Sequence, residues 1–351
     1  MRVVVVGATG NVGTSLVRAL SAERAVDEVV GVARRAPELE LPRVAWRTAD
    51  IASDDLRPVV RGADAVVHLA WLIQPSRDLD TLRRTNLEGT SRLLRAIAAE
   101  RVPALVYASS VGTYARGPKD RRVDESWSTR GIPTSFYSRH KAEAERRLDA
   151  FEGEVPSTRV VRLRPGLIFK RGAASGVRRL FAGPFLPTPL LRRGFGLVPD
   201  VPGLRVQAVH TDDVAEAYRL ALLHEDARGP YNLAAEPVLE PRLVAERLGW
   251  LRVPVSVRVA RAAARLTWRL HLQPSPVGWV DLGLGVPLMD CDRAARELGW
   301  SPRIRADDAL AELVAGIREG AGEATPRLSP ETGGPLRAGE VASGVGSREG
   351  A

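Results

Sequence analysis

The chain opens with MRVVVVGATGNVG, residues 1–13, and this stretch decides the fold. Its run of valines predicts a strand that is buried on both faces, and a helical pattern follows at Val12–Ala22. Gly7 would allow the tight turn between them, Gly10 the approach of a pyrophosphate, and Gly13 the close packing of helix on strand. The helix N-terminus then offers N–H groups to phosphate oxygens. The opening therefore predicts a dinucleotide-binding unit rather than a turn without a ligand.

Strands and helices alternate through the rest of the first half of the chain. Helical patterns at Val12–Ala22 and Leu79–Glu100 lie between short apolar runs. The predicted strands are Val3–Val6, Glu28–Ala33, Val44–Arg47, Ala65–Leu69, Ala104–Ala108, Thr158–Leu163 and Ala208–His210. Alternation of this kind is typical of a doubly wound parallel sheet with helices on both faces, so the predicted fold class is α/β.

Changes in composition divide the chain further. We expect the dinucleotide-binding domain over residues 1–164, with a return to it at 206–235. Prolines and arginines within 165–205 predict a substrate-binding insertion, and 236–320 predicts a smaller, discontinuous C-terminal substrate-binding region. The helices expected in the latter are Val257–Leu272, Asp292–Leu298 and Ala306–Arg318. Residues 321–351 are poor in apolar side chains and rich in Gly, Pro, Ser, Glu and Arg, and they predict a disordered tail.

Composition excludes several classes of protein. With 351 residues and 44% hydrophobic residues the chain is long and apolar enough for a globular core. No stretch approaches the ~20 apolar residues that span a membrane, so we expect no membrane partner. The net charge is +9, but no nucleic-acid-binding motif accompanies it, so we expect no nucleic-acid partner. A lone cysteine, Cys291, indicates a reducing cytoplasmic location, and we expect no metal site.

The end of the second predicted strand bears on the cofactor. Dinucleotide folds usually carry an acid there that binds the ribose 2′-hydroxyl. This chain has Arg34 and Arg35 instead. A guanidinium suits a 2′-phosphate, so we expect NADP(H) to be preferred, with NAD(H) possible. The alternative is a solvated arginine pair. After the third strand, Asp50 and Ile51 are placed to meet the adenine, unless Asp50 only caps a helix.

A tyrosine, a lysine and a serine are the candidate catalytic residues. Tyr137 and Lys141 stand four residues apart on a predicted helix and share one face. An ammonium beside a phenol lowers the phenol pKa from ~10, so Tyr137 could pass a proton to or from a substrate oxygen. Ser110 follows the strand that ends at Ala108, at the edge where ligands bind, and could donate a hydrogen bond to the same oxygen.

Several motifs occur together in order along the chain. They are Gly7-x-x-Gly10-x-x-Gly13, His68-Leu69-Ala70, Asn86-x-x-Gly89-Thr90, Ser109-Ser110, Tyr137-x-x-x-Lys141, Leu163-Arg164-Pro165-Gly166 and His210-Thr211-Asp212-Asp213. In these the chain resembles the extended short-chain dehydrogenase/reductases, specifically the NAD-dependent epimerase/dehydratase family. The resemblance runs from residue 1 to about residue 318 and implies a Rossmann-type sheet, a nicotinamide cofactor and a Ser/Tyr/Lys catalytic group.

The resemblance also implies which residues hold the cofactor. Ser110, Tyr137 and Lys141 match the catalytic group. The cofactor-binding residues would be Gly7, Thr9, Gly10, Asn11, Val12, Gly13, Arg34, Asp50, Ile51, Leu69, Ala70, Trp71, Asn86, Ser109, Tyr137, Lys141, Pro165 and Leu167, with Pro165 and Leu167 near the nicotinamide. Trp71 departs from the small residue usual at its position, and Arg34 from the usual acid.

The expected function is hydride transfer at a hydroxyl or ketone carbon of a small-molecule substrate, with a nucleotide sugar as one substrate class. Alternatives are an NADPH-dependent carbonyl (ketone) reductase or a hydroxysteroid/dihydroflavonol-type dehydrogenase, and a non-catalytic NAD(P)-binding sensor. Dehydration is the least expected reaction, because Val111 and Gly112 follow Ser110 where the sugar dehydratases carry acids.

Two of the predicted helices carry side chains that could bind another molecule. The resemblance implies a homodimer, in which Leu82, Leu93, Leu94 and Ile97 would supply apolar surface unless they pack on their own sheet. Farther along the chain, Arg258, Arg261, Arg265 and Arg269 recur at helical spacing and predict a solvated face.

Overall fold

The computed structural model describes residues 1–74, 77–186, 191 and 194–333. Its strands are β1 (Arg2–Val6), β2 (Glu28–Ala33), β3 (Val44–Thr48), β4 (Ala65–His68), β5 (Ala104–Ala108), β6 (Arg122–Val123), β7 (Arg159–Pro165), β8 (Leu167–Phe169), β9 (Leu197–Asp200), β10 (Val206–His210), β11 (Gly229–Leu233), β12 (Ala235–Leu239), β13 (Leu251–Pro254) and β14 (Leu288–Met289).

Helices connect most of these strands. They are α1 (Asn11–Ala22), α2 (Arg57–Val60), α3 (Leu79–Arg83), α4 (Thr90–Ala99), α5 (Phe136–Glu154), α6 (Ala174–Val177), α7 (Thr211–Leu223), α8 (Pro241–Leu248), α9 (Val257–Arg269), α10 (Gly278–Gly285), α11 (Asp292–Leu298) and α12 (Ala306–Glu319). Short π-helical turns at Arg84–Gly89 and Arg178–Ala182 continue α3 and α6.

The centre of the molecule is a seven-stranded parallel sheet in the order β3–β2–β1–β4–β5–β7–β11. The order of the strands reverses between β1 and β4, and in open α/β sheets a ligand crevice forms outside the carboxyl ends at such a point. The predicted doubly wound α/β fold is confirmed. Smaller sheets, β8–β10–β12 and β9–β13, lie outside the main sheet.

The valines of β1 show why this sequence forms a covered strand. Val3 and Val5 pack into one apolar cluster, which includes residues of α1 and α7. Val4 and Val6 pack into the other, which includes residues of α4 and α5. Side chains alternate across a strand, so an unbroken apolar run fits only a sheet with helices on both faces.

The helix predicted at Leu79–Glu100 is interrupted by the π-helical turn at Arg84–Gly89. Within that turn the buried amide of Asn86 donates to the carbonyl oxygen of Leu72 and accepts from its backbone N–H, both at 2.7 Å. Thr90 Oγ1 donates to the carbonyl oxygen of Asn86 at 2.7 Å. These bonds tie the helix to the loop after β4, and π-turns of this kind often mark functional sites.

The apolar residues that we assigned to a dimer interface lie in the core of the chain itself. Leu82, Leu93, Leu94 and Ile97 are all buried, and the last three pack against the main sheet. Their helical spacing correctly predicts that they share one apolar face. It does not tell whether that face packs on the sheet or on a second copy of the chain. The choice of these four residues for an interface was therefore wrong.

The segment after α12 differs from the expected disorder. Thr325 is buried and its hydroxyl donates to the carbonyl oxygen of Thr9 at 3.0 Å. Glu323 pairs with Lys170 at 2.6 Å, and Leu328 is also buried. Residues 323–328 thus pack beside the glycine-rich turn. The remainder of the predicted tail, 334–351, lies outside the described residues.

Candidate active site

A crevice opens at the carboxyl ends of β1, β2, β3 and β4, where the strand order reverses. Half of the predicted cofactor-binding residues line it, namely Gly7, Thr9, Gly10, Arg34, Asp50, Ile51, Leu69, Ala70 and Trp71. Val6, Val32, Ala33, Arg35, Ala49, Leu72 and Thr85 complete its walls on the side of the sheet. The crevice therefore gathers residues from four separate strand ends, as expected for a dinucleotide site.

The glycine-rich turn has the close approaches that its sequence predicts. Gly7 has a φ of +92°, and a Cβ there would lie 2.6 Å from the backbone nitrogen of Ala70. A Cβ on Gly13 would lie 2.4 Å from the carbonyl oxygen of Gly7. Only glycine fits at either position. Residues with a side chain rarely adopt the positive φ of Gly7, and there is no room for a Cβ at Gly7 or at Gly13. The turn therefore keeps the start of α1 next to the crevice.

The other predicted cofactor-binding residues do not line this crevice. Asn11 is tied away from it, donating to the carbonyl oxygen of Ile168 at 3.4 Å and accepting from the hydroxyl of Thr211 at 3.0 Å. Val12 and Gly13 lie within α1, and Asn86 holds the loop at Leu72. Ser109, Tyr137, Lys141, Pro165 and Leu167 are also not among the lining residues, although Tyr137 and Lys141 contact Trp71, which is; the side chain of Leu167 is exposed.

Basic side chains gather at the end of β2. Arg34 and Arg35 line the crevice together with Arg327, which comes from the segment after α12. Burial, together with the charges of Arg34, Arg179 and Arg35, lowers the pKa of Arg327 to about 10. The cluster is therefore a site of positive potential that an anion would stabilise. Sequence reasoning missed Arg327 because its segment was assigned to the disordered tail.

Tyr137 and Ser110 meet above Gly112. Ser110 follows β5, and its hydroxyl accepts from the N–H of Gly112 at 3.0 Å. A Cβ on Gly112 would lie 2.7 Å from Cε1 of Tyr137 and 3.3 Å from Oγ of Ser110. Ser135 caps the N-terminus of α5, so Tyr137 projects from its first turn. The glycine thus makes room for both hydroxyl-bearing side chains.

The acidity of Tyr137 differs from our expectation. Burial raises the pKa of the phenol above its ordinary value, while a hydrogen bond from Ser110 acts in the opposite direction. We expected Lys141 to lower this pKa, but its Nζ lies 6.0 Å from the centre of the Tyr137 ring. In this buried setting the phenol keeps its proton at neutral pH, and desolvation is the reason.

Lys141 is held on the same face of α5. Its Nζ donates to the carbonyl oxygen of Ala108 at 2.7 Å and lies 3.6 Å from the centre of the Trp71 ring. Burial lowers the pKa of Lys141 to about 7, and the carboxylate of Glu145 partly opposes that shift. The ammonium is thus fixed by one carbonyl group and one indole face.

A buried polar network supports α5. Glu145 receives a bidentate pair of hydrogen bonds from Arg164 at 2.8 and 2.5 Å, and a further one from Ser109. Burial raises the pKa of Glu145, but its pairing with Arg164 prevails and leaves the pKa below the ordinary value. Arg164 also donates to the hydroxyl of Tyr114 at 2.9 Å. Ser109 therefore serves this network, which connects α5 to β7.

Aromatic rings surround Tyr137. The indole of Trp279 on α10 lies 5.0 Å from it, inclined by 34°, and Trp71 packs edge-on at 6.2 Å. Phe136 and Phe181 pack against Trp279 in turn. The indole nitrogens of Trp71 and Trp279 are buried without a hydrogen-bond partner among the described residues. The sequence carries no signal that Trp279 meets Tyr137.

No group of His, Cys, Asp and Glu side chains among the described residues has an arrangement that could hold a metal ion. His210 has a structural position, since it caps α7 and its Nε2 lies 2.9 Å from Glu312. His140 is half-buried beside Phe136, and burial lowers its pKa to about 4.

The sequence of this chain is similar to those of several known proteins. An uncharacterised protein of Mycobacterium tuberculosis (strain ATCC 25618 / H37Rv) is 28% identical over 326 residues, which cover 91% of this chain and 30% of the relative. The chain therefore spans less than a third of that relative's length. The dTDP-glucose 4,6-dehydratase of Streptomyces niveus is 25% identical over 371 residues, 97% of this chain and 100% of the dehydratase.

Among solved structures, MoeE5 in complex with UDP-glucuronic acid and NAD has a similar fold. Its TM-score is 0.68 at 22% identity, over 91% of this chain and 99% of that chain. The profile of the NAD dependent epimerase/dehydratase family matches residues 3–234, from β1 through β11. Since this match covers well over half of the chain, the protein belongs to the NAD dependent epimerase/dehydratase family.

Proposed function

We propose that the protein is an NAD(P)-dependent oxidoreductase that transfers hydride at a hydroxyl or ketone carbon, with Ser110, Tyr137 and Lys141 as its catalytic group. The meeting of Tyr137 and Ser110 above Gly112 is the observation that carries this proposal. Two hydroxyl groups converge there at the edge of a cofactor crevice, in surroundings that are otherwise aromatic. Such a pair is suited to hold and protonate one substrate oxygen.

The crevice fits a dinucleotide. Close packing at Gly7 and Gly13 sets the start of α1 beside the crevice, where Gly10 would let a pyrophosphate approach the backbone. Asp50 and Ile51 would meet the adenine, and Trp71 would stand between the two halves of the cofactor. When bound, the nicotinamide supplies or accepts the hydride.

We infer a preference for NADP(H) over NAD(H). Arg34, Arg35 and Arg327 lie around the end of β2, where the 2′-position of the adenosine ribose is held in this fold. The mutual repulsion that lowers the pKa of Arg327 would be relieved by a phosphate. A guanidinium–phosphate contact is worth roughly 1.5–3 kcal/mol, or about tenfold to a hundredfold in affinity.

Reduction uses Tyr137 in its protonated form, and burial, which raises the phenol pKa, keeps it in that form at neutral pH. The protonated phenol gives its proton to the substrate oxygen as the carbonyl carbon becomes an alcohol carbon, and the proton is then replaced from solvent. Ser110 steadies the same oxygen through its hydroxyl. Lys141 is placed to contact the ribose hydroxyls, since its Nζ lies against Trp71 at the inner end of the crevice.

The aromatic wall favours an apolar ketone or alcohol as substrate. Trp71 and Trp279 cover two sides of the phenol ring, and the nearby clusters add Leu72, Ile132 and Leu282. Such walls bind apolar carbon skeletons and offer few partners for sugar hydroxyls. A nucleotide sugar, as in the complex of MoeE5 with UDP-glucuronic acid, is the alternative, and epimerisation would then be the reaction.

We do not propose dehydration. Val111 and Gly112 directly follow Ser110, and neither side chain can transfer the extra proton that elimination of water requires. The expected outcome with nucleotide sugars is the absence of a 4-keto-6-deoxy product by mass spectrometry.

The test follows NADPH consumption with a panel of apolar ketones, and sugar interconversion with UDP-glucose and UDP-glucuronic acid. Stoichiometric oxidation of NADPH with formation of the alcohol is the expected result. Interconversion of sugars with no net change of cofactor would replace the reductase with an epimerase. Absence of any turnover, together with tight cofactor binding, would favour the cofactor sensor.

A further inference from the structure

Helix α9, Val257–Arg269, is an exposed ridge on the substrate side of the molecule. None of its residues is fully buried. The exposed fractions of Val259, Leu266 and Leu270, the last of which caps the helix, are each 58%. Together with the exposed Ala262 and Ala263 they follow spacings of three and four residues and so form one line. We call these five residues the outer stripe.

Arginines border the outer stripe along one side. Arg258, Arg265 and Arg269 are exposed, and among the described residues none of them pairs with a carboxylate. Arg261, which the sequence placed in the same arginine series, instead turns inward and pairs with Asp281 at 3.1 Å. The four arginines predicted to form one solvated face therefore divide. Arg261 forms an internal ion pair, and the other three lie at the surface.

The sequence around α9 contains no acid. From Arg247 to Val280 there is neither Asp nor Glu, and six arginines fall in that interval. Just before the helix, Leu251 of β13 pairs in register with Leu197 of β9, and their exposed fractions are 67% and 66%. Arg247, Arg252 and Arg261 pair with carboxylates from other parts of the chain, so the positive charge beside the exposed apolar side chains comes from Arg258, Arg265 and Arg269.

We propose that the outer stripe is a docking surface for an anionic lipid bilayer. A helix with apolar side chains on one side and arginines beside them lies in the membrane interface, with its apolar side chains at the acyl boundary and its guanidinium groups at the phosphates. No helix in the described part of the chain is long and apolar enough to cross a bilayer, and a peripheral surface needs none.

Two other occupants fit less well. A second copy of the chain would bring the same arginine edge against itself in a symmetric contact, which like charges oppose. An amphipathic partner helix usually lies in a groove, whereas α9 is a convex ridge with no buried residue. A bilayer surface can bind an exposed helix without a groove, and its anionic headgroups would pair with the arginines.

This surface lies close to the candidate active site. Arg261 of α9 pairs with Asp281 of α10, and the same α10 carries Trp279, whose indole packs on Tyr137. The bilayer surface would therefore lie on the side from which an apolar substrate reaches the aromatic wall. The docking surface itself does not depend on the proposed activity.

The test is co-sedimentation of the full chain with vesicles of phosphatidylcholine alone and of phosphatidylcholine with an equal amount of phosphatidylglycerol. We expect binding to the anionic vesicles only, and weakening by salt. The triple variant Arg258→Gln/Arg265→Gln/Arg269→Gln should lose at least about tenfold in affinity, since each basic residue at such a surface contributes about fivefold. Leu266→Glu should lose binding as well.

A matched control removes the same charge elsewhere, with Arg24→Gln/Arg92→Gln/Arg95→Gln, all exposed residues away from α9. The control should bind as the wild type does, and circular dichroism should show all variants folded. Equal binding of both triple variants, or no binding by the wild type, would overturn the proposal. So would a dimer in analytical ultracentrifugation that Leu266→Glu converts to a monomer, because the stripe would then be a protein interface.

Discussion

The phenol ring of Tyr137 and the indole ring of Trp279 pack against each other, with centroids 5.0 Å apart and planes inclined by 34°. The two residues are 142 positions apart and belong to different regions of the chain, one on α5 and the other on α10. In the proposed reaction this contact would join the proton-transferring group to the substrate side of the molecule. Trp279 would then form part of the wall that a substrate meets at Tyr137.

Replacing Trp279 should change substrate binding more than cofactor binding. Trp279→Ala removes an aromatic pair worth about 0.5–1.5 kcal/mol beyond its buried area, so KM for an apolar ketone should rise by up to about tenfold. Trp279→Phe keeps an aromatic face and should stay near the wild type. Steady-state kinetics together with calorimetric titration of NADPH would check both effects. A loss of NADPH affinity with an unchanged KM would place Trp279 at the cofactor instead.

Gly112 should tolerate no side chain. The added carbon of Gly112→Ala would lie 2.7 Å from Cε1 of Tyr137, so the ring must move away from Ser110. We expect kcat to fall by about a hundredfold, since misplaced catalytic groups cost that much. Gly153→Ala is the matched control, because Gly153 lies on α5, the helix that carries Tyr137, and a Cβ there would have no neighbouring atom within 4 Å. Wild-type turnover in Gly112→Ala would show that the contact is unimportant.

Arg327 and Arg34 should share the discrimination between cofactors. For each of Arg327→Ala and Arg34→Ala, the Kd for NADPH should rise about tenfold to a hundredfold, with little change for NADH. Arg303→Ala, an exposed arginine outside the crevice, should leave both constants unchanged. Calorimetry with both cofactors decides the matter. Equal affinities of the wild type for the two cofactors would refute the preference. An unchanged Kd for NADPH in Arg327→Ala would show that the segment after α12 does not contribute to it.

Lys141 should produce a pH dependence near neutrality. Burial brings the pKa of Lys141 down to about 7, so the side chain is cationic below that pH and loses its charge above it. The cation is the form that attracts an anionic cofactor, so kcat/KM for NADPH should fall as pH rises through about 7. Lys141→Met should have a lower kcat/KM that no longer falls as pH rises through about 7. If the fall persists in Lys141→Met, the titration belongs to another group.

The sequence predicted the sheet well because its signal is local. The valines of β1 and the apolar run of β5 are recognisable from neighbouring residues alone, and the observed bounds of β5, Ala104–Ala108, equal the predicted ones. The glycine-rich turn is equally local, since strand, turn and helix follow one another within 22 residues of Met1. Such features need no knowledge of distant contacts.

The parts that escaped prediction depend on distant contacts. Thr325 and Thr9 are 316 positions apart, and their hydrogen bond orders a segment whose composition indicates disorder. Trp279 comes to Tyr137 only through the placement of α10. The helical pattern around Leu93 gave the apolar side correctly, but whether that side met the sheet or a second copy was not encoded in its spacing.

The central claim is that Tyr137 moves the proton in a hydride transfer, and Tyr137→Phe tests it most directly. The measurement is turnover of the variant with NADPH and a ketone that the wild type reduces, paired with calorimetric titration of NADPH. We expect kcat to fall by about 10²–10⁴-fold, because the ring remains and only the proton donor is removed, while the Kd for NADPH stays within about twofold. Turnover by Tyr137→Phe at the wild-type rate would contradict the account.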